Sequence, residues 1–319
     1  RNGKGAPARS RCAILCDVGG DHGMSAAMRS RKQLAIVLGL GISVLVVQLV
    51  GAVLSGSLAL LADAIHVFAD VMGVASALLA VTIAARPTQP KRTFGLFRLE
   101  ILVATGNCFL LLALSGFILW QGVERWLTPV EVTPSIMIIA ASYGVVANGI
   151  GLVLLRKGAG ESLTVKGAYL EVMSDALASV GVVVAAIVIL LTGWTRIDAL
   201  VSIAIALFMI PRTLVLLRSS LSVLLETAPR DLDLDEVRAA LLEVDGVVAV
   251  HDLHAWVITS GMASLSAHVE VADDPFRSDL GAGMLAELRS RVQDRFEIVH
   301  TTFQLECTAY SASEPPTHP

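Results

Sequence analysis

The chain has 319 residues, 55% of them hydrophobic and 16% charged, and its mean hydropathy is +0.71, which excludes an ordinary soluble domain. Its net charge of −4, from 24 basic and 28 acidic residues, comes without a basic stripe, so nucleic acid is not an expected partner. Between Leu34 and Leu217 charged residues are mostly confined to segment junctions, whereas they are frequent from Asp231 to Glu306. A polytopic membrane domain followed by a soluble one is the expected organisation.

The first 28 residues are rich in Gly, Arg, Ser and Ala and lack the apolar core of a signal peptide, so residues 1–30 are expected to form a disordered tail. Cys12, Cys16, Asp21 and His22 lie within it as a weak candidate metal cluster, against the default of an unstructured tail. The other cysteines, Cys108 and Cys307, stand far apart; no disulfide framework is implied, and a reducing compartment suits the soluble parts.

Six apolar stretches follow, at about 33–55, 57–85, 99–126, 134–156, 164–192 and 196–217, each near the length needed to cross a bilayer. Together they define a six-helix membrane domain over residues 31–222. Ser55-Gly56-Ser57 makes the first turn very short, Pro87 and Pro90 close the second span, and Pro129 and Pro134 bracket the third crossing. One set of loops carries Arg29, Arg31, Lys32, Arg86, Lys91, Arg92, Arg98, Arg156, Lys157, Lys166 and Arg218, and the opposite set only Arg125 and Arg196. The positive-inside rule therefore places both termini in the cytoplasm.

Ionisable residues inside two of these spans carry the chemistry. Asp63, His66 and Asp70 step by three and then four residues in the second, so they share one helix face; Glu171 and Asp175 stand at i, i+4 in the fifth. A lone His or Asp in an apolar run is often a satisfied core residue. Five such groups are different, because each costs roughly 2.5–3.5 kcal/mol in a bilayer, on the order of 10 kcal/mol in all if nothing compensates. A bound divalent ion or protons are the natural compensation. Glu100, Asn107, Gln121, Asn148 and Asp198 are weaker signals, expected to bond between helices.

A short amphipathic stretch from Ser219 to Glu226 leads into the soluble domain, residues 226–310, and residues 311–319 form a second disordered tail. Helical spacing over Leu232–Val244 precedes a strand from Gly246 to Ile258, a hairpin turn at Thr259-Ser260-Gly261, and a strand over 262–272. A helix over Pro275–Phe296 and a strand over Thr301–Cys307 complete an α-β-β-α-β order, which suggests a ferredoxin-like α+β domain with two helices on one face of the sheet. His251, His254, His268, His300 and Glu306 fall on or beside its strand ends, a donor set suited to Zn and its neighbours. Solvated or core histidines are the competing reading.

Four separated stretches then resemble the cation diffusion facilitators, in the branch that exports zinc or cobalt, zinc and cadmium from bacteria. They are Ser55–His66, Phe94–Glu100, Lys166–Asp175, and His251-Asp252-Leu253-His254-Ala255-Trp256 with Ser266-Ala267-His268-Val269. The resemblance covers residues 31–307 and implies a six-helix multi-pass protein of the bacterial inner membrane, homodimeric through its C-terminal domains. It also implies a secondary active transporter, not an enzyme, that exports Zn2+ in exchange for protons, with Cd2+ or Co2+ as alternative cargo. Carried over residue by residue, the transport site is His66, Asp70, Glu171 and Asp175, with Asp63 as a supporting or proton-relay residue. Glu171 stands where zinc members usually have His, leaving one imidazole and three carboxylates, a harder donor set. In the soluble domain the resemblance assigns metal to His251, His268, His300 and Glu306, with His254 as an alternative.

Metal binding at the membrane site requires neutral His66 and ionised carboxylates, so metal and protons compete for the same lone pairs. An intramembrane metalloenzyme is disfavoured, because the His-Glu-x-x-His pattern is missing and no nucleophile pairs with a base. The alternative function is a membrane-anchored metal sensor without transport, which would not need ionisable groups inside two spans.

Overall fold

The computed structural model describes residues 20–84, 97–156, 163–259, 262–272 and 280–311. The first six helices are α1 (Gly20–Ser55), α2 (Leu58–Ala84), α3 (Phe97–Leu127), α4 (Pro134–Leu155), α5 (Leu163–Thr192) and α6 (Arg196–Leu224). The soluble part follows as α7 (Leu234–Leu242), β1 (Val247–Thr259), β2 (Met262–Val271), α8 (Leu280–Phe296), β3 (His300–Cys307) and a short α9 (Thr308–Ser311). Among the described residues, all six of α1–α6 contain a stretch long and apolar enough to cross a membrane. The expected spans and the α-β-β-α-β order are thus present.

Two boundaries differ from expectation. α1 begins at Gly20, so residues 20–30 of the expected tail continue the first helix; Ala26, Ala27, Met28, Arg31 and Lys32 are strong helix formers, and a helix nucleated in the apolar run propagates through them. α6 runs on to Leu224 through the stretch expected as a separate amphipathic segment. Ser219 and Ser222 turn their hydroxyls back onto the helix, Ser219 Oγ donating to Val215 O (3.0 Å) and Ser222 Oγ to Ser219 O (2.9 Å), so both are satisfied without breaking it. Cys12 and Cys16, and the side chains of Asp21 and His22, lie outside the described residues.

The chain divides into two compact units. One contains α1, α2, α4 and α5. Gly56, at φ +69, makes the two-residue turn between α1 and α2, a conformation glycine adopts without strain, and Ser57 Oγ then accepts the Leu60 N–H (3.0 Å) at the start of α2. Thr133 N–H donates to Ser55 O, and Pro134 opens α4 where no intrahelical N–H is needed. α4 packs along both α5 and α1. Small residues let the backbones approach: a Cβ at Gly51 would stand 2.5 Å from the Ala140 Cβ, and one at Gly144 would stand 2.8 Å from Gln48 Nε2 and 2.9 Å from Ser179 Oγ.

The other unit contains α3, α6 and the soluble domain. α3 and α6 lie close enough that a Cβ at Gly122 would meet Ile203 Cγ1 at 2.5 Å. Arg125 Nη1 lies 3.8 Å from the buried Asp198 carboxylate, and the Arg196 guanidinium stands over the Trp126 ring. At the other end of α3, Arg98 pairs with Glu226 at 2.6 Å and Glu100 Oε2 accepts the hydroxyl of Thr259, the last residue of β1, at 3.1 Å. Glu100 therefore bonds to a strand, where a partner helix was expected. Asn107 Oδ1 and Asn148 Nδ2 are buried without a hydrogen-bond partner among the described residues.

In the soluble domain β1 pairs antiparallel with β2, and β2 pairs parallel with β3 through the α8 crossover, giving a three-stranded mixed sheet in the order β1-β2-β3. Asp233 caps α7 by accepting the Asp235 N–H at 2.9 Å, with Asp235 and Glu236 in its first turn. Val237 and Leu241 of α7, Leu265 and Val269 of β2, and Leu288 and Val292 of α8 form the core between helices and sheet.

Candidate metal centres

The first centre is built on α2 and α5. Because α2 carries Asp63, His66 and Asp70 on one stripe, the three side chains leave the helix over two consecutive turns. α5 presents Asp175 to them, with His66 Nε2 2.8 Å from Asp175 Oδ1, and both side chains are buried. His66, Asp70 and Asp175 each offer a ligand atom, and these atoms lie within 4.8 Å of one another. Among the described residues no hydrogen-bond donor is aligned on Asp175 Oδ1, despite the short approach of the imidazole. Three such ligand atoms in so small a space form a group that could hold a metal ion. The side chain of Glu171 lies outside the described residues.

Asp63 is not part of that trio. It sits one turn earlier on α2, fully buried, and its Oδ2 accepts Gln48 Nε2 of α1 at 2.6 Å and Ser179 Oγ of α5 at 2.8 Å. Three helices are therefore tied to one carboxylate beside the cation site. Gly144 of α4 leaves the room in which both donors fit. Gln48 and Ser179 were not singled out in the sequence, although each left a signal. Gln48 is the one amide between Leu34 and Ser55 of α1, and Ser179 continues the i, i+4 stripe of Glu171 and Asp175.

The second centre lies on the sheet. His251 of β1 stands opposite His268 of β2, their rings 5.3 Å apart at 75°, and the carboxylate of Glu306 on β3 reaches both. Glu306 Oε2 is 3.3 Å from His251 Nε2, and Oε1 is 2.9 Å from His268 Nδ1. These three residues again bring ligand atoms within 4.8 Å. Glu306 is 2% exposed; Gln304 Nε2 donates to Oε1 at 2.7 Å, but among the described residues no donor is aligned on Oε2. A buried carboxylate oxygen left in that state beside two imidazoles fits a divalent cation of the zinc type.

His300 and His254 are not among these three residues. The parallel register sets His268 opposite Gln304 and Glu270 opposite Glu306, so His300 falls opposite Ser264, six residues before Glu306 at the start of β3. His254 pairs with Asp252 Oδ1 at 3.0 Å. The structure thus gathers His251, His268 and Glu306 and leaves the other two sequence candidates outside that group.

Comparison with known proteins gives the family. Residues 34–225 match the family described as the cation efflux transmembrane domain, and residues 229–307 match the cytoplasmic domain of cation efflux proteins. The chain is 42% identical to the metal cation efflux system protein CzcD of Cupriavidus metallidurans over 91% of its own length and 90% of that protein's. It is 36% identical to the zinc transporter ZitB of Escherichia coli, over 86% and 87% of the two lengths. With the cadmium, cobalt and zinc/H(+)-K(+) antiporter of Bacillus subtilis it shares 33% identity, over 84% and 86%.

Proposed function

The chain belongs to the cation efflux, or cation diffusion facilitator, family, and from that premise we propose that it is a proton-coupled antiporter exporting divalent transition-metal cations, chiefly Zn2+, from the cytoplasm. It is a multi-pass membrane transporter and not an enzyme. The observation that carries the reading is the convergence of His66, Asp70 and Asp175 on one buried point between α2 and α5. Glu171, one turn before Asp175 on α5, is the fourth ligand, and Asp63 supports the site through its bonds to α1 and α5.

The cycle follows from competition. An imidazole and three carboxylates bind a cation only in their deprotonated forms, so each ion taken up releases protons and each ion discharged is replaced by them. A site open to the cytoplasm loads metal; open to a proton-rich exterior, it exchanges metal for protons. His66 and one carboxylate are the proton carriers, since imidazole titrates closest to neutral pH. Homologues named for zinc and for cadmium, cobalt and zinc support that cargo class.

Residues 31–222 form the transport domain and residues 226–310 a cytoplasmic domain, with both termini inside, following the distribution of basic loop residues. The protein resides in the bacterial inner membrane as a homodimer joined through the cytoplasmic domains. In that domain His251, His268 and Glu306 would hold Zn2+, which when bound would cross-link β1, β2 and β3.

The test is metal uptake into proteoliposomes under an imposed pH gradient, comparing Zn2+, Cd2+, Co2+ and Mn2+ for the wild type and Asp175→Ala. Zn2+ flux that follows the gradient and disappears in the variant is expected. Absence of flux with every ion, in folded dimeric protein, would replace the antiporter with a membrane-anchored sensor.

A further inference from the structure

Asp252 is an anomaly within β1. Between His251, opposite His268, and His254, opposite Ser266, the first strand advances three residues while the second advances two. The extra residue is a bulge, a device that re-aims side chains. Asp252 lies in it at φ +48, in the left-handed region that non-glycine residues seldom occupy. Its carboxylate comes to rest between two imidazoles, with Oδ1 3.0 Å from His254 Nε2 and Oδ2 3.7 Å from His268 Nε2.

His268 is thereby held between two carboxylates. Its Nδ1 faces Glu306 at 2.9 Å, on the side of the three-residue centre, and its Nε2 faces Asp252. A histidine that binds metal through one ring nitrogen characteristically donates the other N–H to a carboxylate or carbonyl, which fixes its tautomer and strengthens it as a ligand. The 3.7 Å separation is longer than a hydrogen bond by about 0.5 Å, the distance the bond proposed below would have to close.

We propose that Asp252 is a positioning residue of the cytoplasmic metal centre, its carboxylate accepting the Nε2–H of His268 so that Nδ1 is the ligand atom. This rests on the reading that His251, His268 and Glu306 hold Zn2+. His254, on the other carboxylate oxygen, steadies Asp252 in turn. The bulge and its left-handed residue are the structural means by which a carboxylate from β1 reaches a histidine on β2.

The experiment uses the full-length protein in detergent with Asp175→Ala in the background, so that the transport site does not contribute, and measures Zn2+ affinity by competition with a chromophoric chelator. Asp252→Asn keeps the shape and tolerates the left-handed backbone; Asp252→Gly tolerates it best and removes the side chain. Backbone tolerance alone ranks Gly first, Asn second and Asp last. A positioning role ranks affinity in the reverse order, with losses of about tenfold for Asn and up to about 100-fold for Gly. The metal-free thermal midpoint should be unchanged or raised in both. Affinity equal to that of Asp252 in both variants, with Glu306→Gln abolishing binding, would overturn the role of Asp252 alone. Affinity unmoved even by Glu306→Gln would overturn the metal centre as well.

Discussion

Replacing Ser179 by Ala tests whether the buried Asp63 carboxylate organises the four-helix unit. The variant removes a single hydroxyl that donates to Asp63 Oδ2 at 2.8 Å and leaves Gln48 as the remaining donor to that oxygen. Two scales bear on the magnitude. A hydrogen bond to a charged group in a water-soluble protein is worth about 1.5–3 kcal/mol, whereas interhelical bonds measured within a membrane average about 0.6 and reach about 1.7 kcal/mol. The membrane scale applies, because separated helices also leave Asp63 in lipid. Its upper end applies, because Asp63 is 0% exposed and its Oδ1 has no donor among the described residues. A loss of about 1.5 kcal/mol is therefore expected. It can be read as the shift in an SDS titration of the protein in mixed micelles, followed by circular dichroism. The same substitution in an Asp63→Leu background should cost less than about 0.5 kcal/mol, since no carboxylate remains to be satisfied. Equal costs in the two backgrounds would show that Ser179 acts through packing and would refute the reasoning.

Gly144→Ala should reproduce and exceed that effect, because the new Cβ would fall 2.8 Å from Gln48 Nε2 and 2.9 Å from Ser179 Oγ and displace both donors. An overpacking loss of about 1–3 kcal/mol is expected in the same titration, and a neutral result would mean that α4 yields freely. Glu171→His would convert one imidazole and three carboxylates into two of each. In the proteoliposome assay it should raise Zn2+ flux relative to Mn2+; an unchanged ion ranking would exclude Glu171 from the cargo's ligands.

The apolar runs of α1–α6 were legible because ionisable residues are scarce in them, and that same scarcity made Asp63, His66, Asp70, Glu171 and Asp175 conspicuous. Helical period then sufficed to place His66 and Asp70 on one face, the face that meets Asp175. The sheet was harder to read. Alternation tells which face a strand residue occupies, but not which residue of the neighbouring strand stands opposite, and that register decides whether His300 or Glu306 reaches His268. The bulge at Asp252 breaks the alternation itself, so His254 could not be placed from spacing. Gln48 escaped notice for a different reason. Its role depends on an approach of α1 to α2 that no single helical pattern encodes.

The bond between Thr259 and Glu100 gives β1 two differently occupied ends. His251 lies eight residues from Thr259 along the strand, roughly 26 Å at the rise of a β-strand. Two unit charges at that distance interact by only about 0.6 kcal/mol at an effective dielectric of about 20. A cation arriving at His251 thus biases the foot of α3 weakly through space. The strand itself offers a second connection, a stiff body that ends in the bond of a single hydroxyl to a single carboxylate.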